Sequence, residues 1–259
     1  MSNFTSKIIK WEDSEFQSLN CSNNSAKQDL FGFIVGYAKE KKILDILDLG
    51  CGKGGQWNWY YSNNEKIDFQ LNIYGYEPFK GNATSAIDKS LRQINFINNL
   101  NTCKKKFDVV VSMSVLEHVY DRKKFLENCK KFTKNGCYSL INYDNGHFHN
   151  PREWKRNIFG KLLGEISPIK RYYQDFVEID KVIKLANDMG MKVDDYLDYH
   201  VLIDKNKLKL LNLCKPETRA KLIDKIQIFE KEISNIINTK DNRLIHNKYS
   251  YSSTLILIK

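Results

Sequence analysis

The run Ile43-Leu-Asp-Ile-Leu-Asp-Leu49, followed at once by Gly50-Cys-Gly52-Lys-Gly54-Gly55, constrains this chain more than any other stretch. A seven-residue apolar segment is short for a helix and suits a buried strand. Glycine at three alternating positions then lets the backbone turn tightly and lets a ligand lie against it. Further strands are predicted at residues 71–76, 94–97, 107–113 and 136–142. Helices are predicted at 25–42 with Ser25 as N-cap, from Gly55-Gln56 onward, and from the fourth strand to Phe132. The three consecutive valines Val109 to Val111 suit a strand buried on both faces. Strands alternating with helices imply an α/β fold with a parallel sheet of βαβ units.

The second half is less regular. Residues 144–176 carry Gly146, Pro151, Gly160, Gly164 and Pro168 and read as a loop-rich excursion. An amphipathic helix is predicted at 178–189 with Gly190 as its C-cap, then a strand at 192–197. A long helix at 216–239 begins with Pro216 in its first turn. It spans few heptads, so packing on its own domain is expected rather than a coiled coil. A closing strand runs through 251–258. Residues 1–24 are polar and read as a loose arm, with Trp11 available to a lid.

Composition narrows the class. With 42% hydrophobic and 28% charged residues, the 259-residue chain is neither disordered nor fibrous. No apolar run approaches the ~20 residues of a membrane span, and no signal peptide is expected at the start. The six cysteines include no C-x-x-C pair, which speaks against a zinc ribbon or redox motif. Reduced thiols in a cytoplasmic protein are the simplest expectation. Lys and Arg number 41 against 31 Asp and Glu, a net +10. That excess asks for an anionic partner without choosing between nucleic acid, membrane surface and a small acidic substrate.

Glu77 lies at the end of the second strand, in Tyr74-Gly-Tyr-Glu-Pro78. A carboxylate there can accept hydrogen bonds from both ribose hydroxyls of a nucleoside cofactor. A glycine loop after the first strand and an acid after the second jointly predict such a cofactor. Gly50-x-Gly52-x-x-Gly55 also completes the dinucleotide fingerprint, so the pattern alone leaves NAD open. With Asp48, however, the loop reads D-x-G-x-G-x-G. This resembles motif I of the class I S-adenosylmethionine-dependent methyltransferases. Glu77-Pro78 resembles their ribose-binding motif. Phe107-Asp-Val-Val-Val-Ser-Met-Ser-Val-Leu-Glu-His-Val119 resembles the fourth-strand signature of the branch acting on small molecules. The resemblance covers residues 28–145 most strongly.

The resemblance implies a single Rossmann-like domain over residues 1–259. Its seven-stranded, mostly parallel sheet would carry helices on both faces. Residues 25–145 would form the cofactor-binding core, 192–197 and 251–258 the closing strands, and 146–176 with 203–249 the acceptor-side cover. It implies S-adenosylmethionine as cofactor. Gly50, Cys51, Gly52 and Gly54 would face its methionine and sugar, with Asp48 supporting the loop. Glu77 and Pro78 would border the ribose and Phe79 the adenine. The acid that the family often places after the third strand is replaced here by Asn98-Asn99, whose carbonyls can accept the same bond. Ser112 and Met113 would end the fourth strand beside the sulfonium.

Methyl transfer from a sulfonium is an in-line displacement in which acceptor placement supplies much of the rate. Candidate bases are His118, just past the fourth strand, and His147 and His149, past the fifth. His200 and His246 have no supporting neighbours. Related enzymes with E-x-x-E-H after the fourth strand bind a divalent cation; Ser114 removes the first carboxylate here, so no metal is expected. Tyr143, Arg152, Trp154, Arg156, Arg171, Tyr172 and Tyr173 mark the acceptor side, and their arginines suit an anionic acceptor. Nucleic acid is disfavoured, because Ser112-Met-Ser-Val lacks the proline-bearing turn of amino-modifying enzymes and no Pro-Cys nucleophile occurs. The expected activity is O-methylation of a sugar, polysaccharide precursor or phosphorylated or phosphoramidate metabolite. An RNA/DNA or amine N-methyltransferase is the alternative, and a non-catalytic cofactor-binding scaffold the second.

Overall fold

The computed structural model describes residues 3–8, 13–19, 21–22, 24–78, 94–146, 162, 173–199, 213–237 and 252–259. Its strands are β1 (Ile43–Leu49), β2 (Gln70–Tyr76), β3 (Asn95–Phe96), β4 (Phe107–Met113), β5 (Thr133–Asp144), β6 (Lys192–Tyr199) and β7 (Ser252–Ile258). They form one sheet in the order β3-β2-β1-β4-β5-β7-β6. The pairs β1–β2, β1–β4, β2–β3 and β4–β5 are parallel, and β7 runs antiparallel to β5 and β6. This is the Rossmann-like arrangement implied by the motifs. The direction of the order reverses between β1 and β4, which is where open α/β sheets place ligands.

Strand alternation divides the core between the two faces. Leu44, Ile46, Val109 and Val111 point to one, where the helix α3 (Ser25–Lys41) and Trp57 pack. Leu47, Leu49 and Val110 point to the other, against α5 (Arg122–Phe132) and α6 (Ile179–Asp188). That is why the β1 and β4 sequences are apolar at successive positions.

Several local details differ from the sequence reading. The N-cap of α3 is Asn24, whose side chain accepts from Lys27 N, and Ser25 is the first helical residue. Past the glycine loop the chain makes a 3-10 turn, Gly55–Trp57, before the short helix α4 (Asn58–Ser62). Another 3-10 turn, Leu116–His118, separates β4 from α5. The strand β5 starts three residues earlier than predicted and runs two further, with a register shift against β4.

The described N-terminal residues are not a loose arm. Two short helices, α1 (Asn3–Lys7) and α2 (Ser14–Ser18), place Phe4 and Phe16 in the core. Phe4 stacks on Phe33 with ring centroids 4.8 Å apart, and its N–H donates to Asp194. Lys7 pairs with Glu40 at the end of α3 that leads into β1, and Asp194 is near the start of β6, so α1 sits away from the loops that follow β1, β2, β4 and β5. Trp11 lies outside the described residues. The long helix α7 (Pro216–Ile237) lies against β6 and α3. Its packing on the domain is partial, because Leu222, Ile228, Phe229 and Ile236 are exposed.

Candidate active site

The site forms where β1, β2, β4 and β5 end. Three loop glycines adopt left-handed backbone: Gly50 at φ +87°, Gly52 at +55° and Gly54 at +74°. Only glycine takes such angles without strain. The loop is tied to β2 because the N–H groups of Gly50 and Cys51 both donate to Tyr76 O, at 2.8 and 3.1 Å. Cys51 is buried, and its Sγ fills the space a side chain at Gly75 would need, 2.8 Å from that Cβ position. It packs the loop against β2 rather than facing a ligand. Burial pushes its thiol up, so it stays protonated.

Asp48 is fully buried in β1. Its Oδ2 accepts from Trp57 Nε1 at 2.7 Å and from Gln56 Nε2. Burial pushes the carboxyl up to about 6, against the pull of these two donors. Among the described residues Oδ1 has no hydrogen-bond partner. A buried acceptor without a protein partner has room for a donor from water or from a bound ligand. Gln56 and Trp57 were missed in the sequence reading. Their signal was there: two side-chain donors just past the glycine loop, eight and nine positions beyond an acid on a buried strand.

At the end of β2, Glu77 Oε2 accepts the N–H of Gly52 at 2.9 Å. A Cβ added at Gly52 would meet nothing within 4 Å, so the loop presents an open face there. Beside Gly50 lies an apolar pocket of about 230 Å³ bordered by Leu49, Tyr76, Pro78, Val115, Val119 and Phe125. A purine ring fits such a space. Asn98 and Asn99 are both exposed after β3, but Asn99 Oδ1 already accepts the N–H of Asn101 at 2.9 Å. Phe79 lies outside the described residues.

The loop after β4 crosses directly over Gly50, with Val115 2.7 Å from a Cβ built there. Ser112 is buried with its hydroxyl unpartnered among the described residues, while Met113 packs into the core. Ser114 takes φ +55°, a strained angle for a residue with a side chain, and its hydroxyl donates to Asp144 Oδ2 at 3.1 Å. Next comes Glu117, 1% exposed. Burial, reinforced by the nearby Asp144 carboxylate, pushes it up to about 8. Its Oε2 has no partner among the described residues. His118 is exposed. Its Nε2 lies 3.9 Å from Glu117 Oε1, and its Nδ1 lies 3.4 Å from Tyr173 O.

The segment between β5 and α6 begins and ends at this spot. Asn145 donates to Val177 O at 3.1 Å and accepts Val177 N at 2.9 Å. Asp175 N donates to Glu117 O at 2.9 Å. Tyr173 packs edge-on against Tyr120 with its hydroxyl on Asp175. Tyr143 departs from the expectation of an acceptor contact. It is completely buried, its hydroxyl pairs with Tyr196 at 3.2 Å, and it belongs to the core. His147, His149, Arg152, Trp154, Arg156, Arg171, Tyr172, His200 and His246 lie outside the described residues. Among the described residues no group of three or more His, Cys, Asp or Glu is placed to hold a metal ion.

A family model described as a methyltransferase domain matches residues 22–172, more than half of the chain. The chain belongs to the class I S-adenosylmethionine-dependent methyltransferases. Curated relatives include a ubiquinone biosynthesis O-methyltransferase from Rickettsia canadensis (strain McKiel), 23% identical over 210 residues, spanning 77% of this chain and 84% of that one. Another, from Dinoroseobacter shibae (strain DSM 16493 / NCIMB 14021 / DFL 12), carries the same name. It is 27% identical over 163 residues, spanning 60% and 62% of the two chains. Among solved structures, the cyclopropane synthase MmaA2 from Mycobacterium tuberculosis shares the fold with a TM-score of 0.51 at 15% identity, over 99% and 98% of the two chains.

The methyltransferase takes S-adenosylmethionine as its cofactor. The residues present fit it: an open Asp48 oxygen, a loop face free of side chains, an acid at the end of β2 and an apolar pocket beside them. When bound, it supplies a methyl group already activated on a sulfonium.

Proposed function

We propose that this enzyme is a cytoplasmic O-methyltransferase acting on a hydroxyl of a small acceptor: a sugar, a polysaccharide precursor or a phosphorylated metabolite. The observation that carries the acceptor reading is the buried carboxyl pair Glu117 and Asp144 at the ends of β4 and β5, next to His118. These groups accept hydrogen bonds, and a hydroxyl offers one. The curated relatives named as O-methyltransferases support oxygen as the methylated atom.

In this reading Glu77 holds the ribose hydroxyls of the cofactor, Asp48 steadies the loop, and Leu49, Tyr76, Pro78 and Val115 enclose the adenine. Asn98, whose neighbour Asn99 is engaged in its own turn, accepts from the adenine amino group. His118 takes the proton of the acceptor hydroxyl, and Glu117 Oε1, 3.9 Å from its Nε2, borders the ring. Residues 146–176 and 203–249 form the acceptor-side cover. Arg152, Arg156 and Arg171 lie in that first stretch and supply the countercharge for an anionic group on the acceptor. No general base is needed for an acceptor already ionised, so the role of His118 is specific to a hydroxyl.

A methyl-transfer screen with radiolabelled S-adenosylmethionine across hydroxyl-bearing sugars, phenols and phosphorylated metabolites, with amines and RNA as comparators, tests the proposal. Labelling confined to amines or RNA contradicts it. His118→Ala is expected to lower turnover with cofactor affinity intact; unchanged turnover removes His118 as the base.

A further inference from the structure

Along α7, Leu222, Ile226, Phe229, Ile233 and Ile236 follow one another at intervals of four, three, four and three residues. This is the a/d repeat of a two-helix seam. At 3.6 residues per turn the five fall in a stripe about 80° wide and about 21 Å long. A helix packed wholly on its own domain turns such a stripe inward. Here it does not: Leu222 is 36% exposed, Phe229 46% and Ile236 65%, while Ile226 and Ile233 are half-buried. Removing such a stripe from water is favourable by roughly 25 cal/mol per Å² of apolar surface, so the sequence pattern asks for a second surface.

The charges along one flank of the stripe indicate what that surface is. Lys225 and Glu232 are both exposed and stand on the same side. They are placed almost symmetrically about Phe229, one four residues before it and one three residues after. In an antiparallel pair of identical helices each flank faces its own copy. Lys225 of each chain then meets the partner's Glu232, Leu222 meets the partner's Ile236, and the two Phe229 rings meet at the centre. A stripe serving an unrelated partner has no reason to be self-complementary under reversal. We propose that α7 is a homodimerisation helix, pairing antiparallel with α7 of a second copy across a two-fold axis at Phe229. An isologous contact of this kind closes on itself and stops at two subunits. A seam of two heptads is small, so self-association with a Kd on the order of 1–100 μM is expected.

Sedimentation equilibrium of the full chain, from about 1 to about 300 μM, tests this. The expected result is a shift from 30.4 kDa toward twice that mass with rising concentration. Phe229→Glu is expected to hold the chain at the monomer mass, with an unchanged far-UV circular dichroism spectrum. The charge reversals Lys225→Glu and Glu232→Lys, made singly, are each expected to weaken association about tenfold, since each places two pairs of like charges face to face. The double swap is expected to restore it. Restoration is specific to antiparallel self-pairing. A monomer at every concentration, a dimer indifferent to Phe229→Glu, or a double swap no tighter than the single reversals each overturns the proposal.

Discussion

The N–H of Gly52 donates to Glu77 Oε2 at 2.9 Å, across 25 positions of sequence. The glycine loop after β1 and the acid at the end of β2 are therefore one unit. Whatever moves Glu77 also loosens the loop backbone at Gly52.

The two central glycines separate strain from ligand access. An alanine at Gly50 would hold φ +87° and press Val115 from 2.7 Å. Gly50→Ala is expected to lose about 2–4 kcal/mol of stability in urea unfolding, from left-handed strain plus overpacking. Gly52→Ala, with open space around its Cβ position, is expected to lose about 1–2 kcal/mol from strain alone. Cofactor affinity, read by calorimetry, should fall in both.

The buried Glu117 makes stability depend on pH. An unfolded chain ionises this carboxyl near 4.5, while the folded chain keeps its proton until about 8. As pH rises through that window the unfolded state releases the proton first, so the folded state loses stability. Glu117→Gln removes the cost. The variant is expected to exceed wild type by about 2–4 kcal/mol at pH 9 and to match it near pH 4, with the crossover read from denaturant midpoints at each pH.

Phe4 is part of the core and not of a lid. Phe4→Ala is expected to cost about 3 kcal/mol, with the Michaelis constant for S-adenosylmethionine unchanged. A loss of cofactor affinity without a loss of stability would return the N-terminal residues to the site.

Much of this was legible in the sequence because buried parallel strands announce themselves. Ile43–Leu49 and Phe107–Met113 carry neighbouring apolar residues that face both sides of the sheet, and the glycines mark a tight turn after β1. The glycine turn was legible for the same reason, since Gly50, Gly52 and Gly54 all take positive φ. Phe4 was not, because a single aromatic in a polar stretch carries no periodicity, and its partner Phe33 lies 29 residues away. Tyr143 was misplaced because a tyrosine at a strand end looks like a site residue until Tyr196, from β6, satisfies its hydroxyl. Glu117 read as the neighbour of a histidine; its burial depends on β5 and on the segment that returns at Asp175. The exposed stripe of α7 has the same periodicity as a buried one, so its sequence could not tell which surface covers it.

Titration of S-adenosylhomocysteine into wild type and Glu77→Ala by isothermal calorimetry tests the cofactor site most directly. Wild type is expected to bind and NAD to give no heat. Glu77→Ala is expected to bind about 30–150-fold more weakly, the loss of charge-assisted hydrogen bonds worth about 2–3 kcal/mol. No binding to wild type, or equal binding by the two proteins, contradicts a cofactor held between the glycine loop and Glu77.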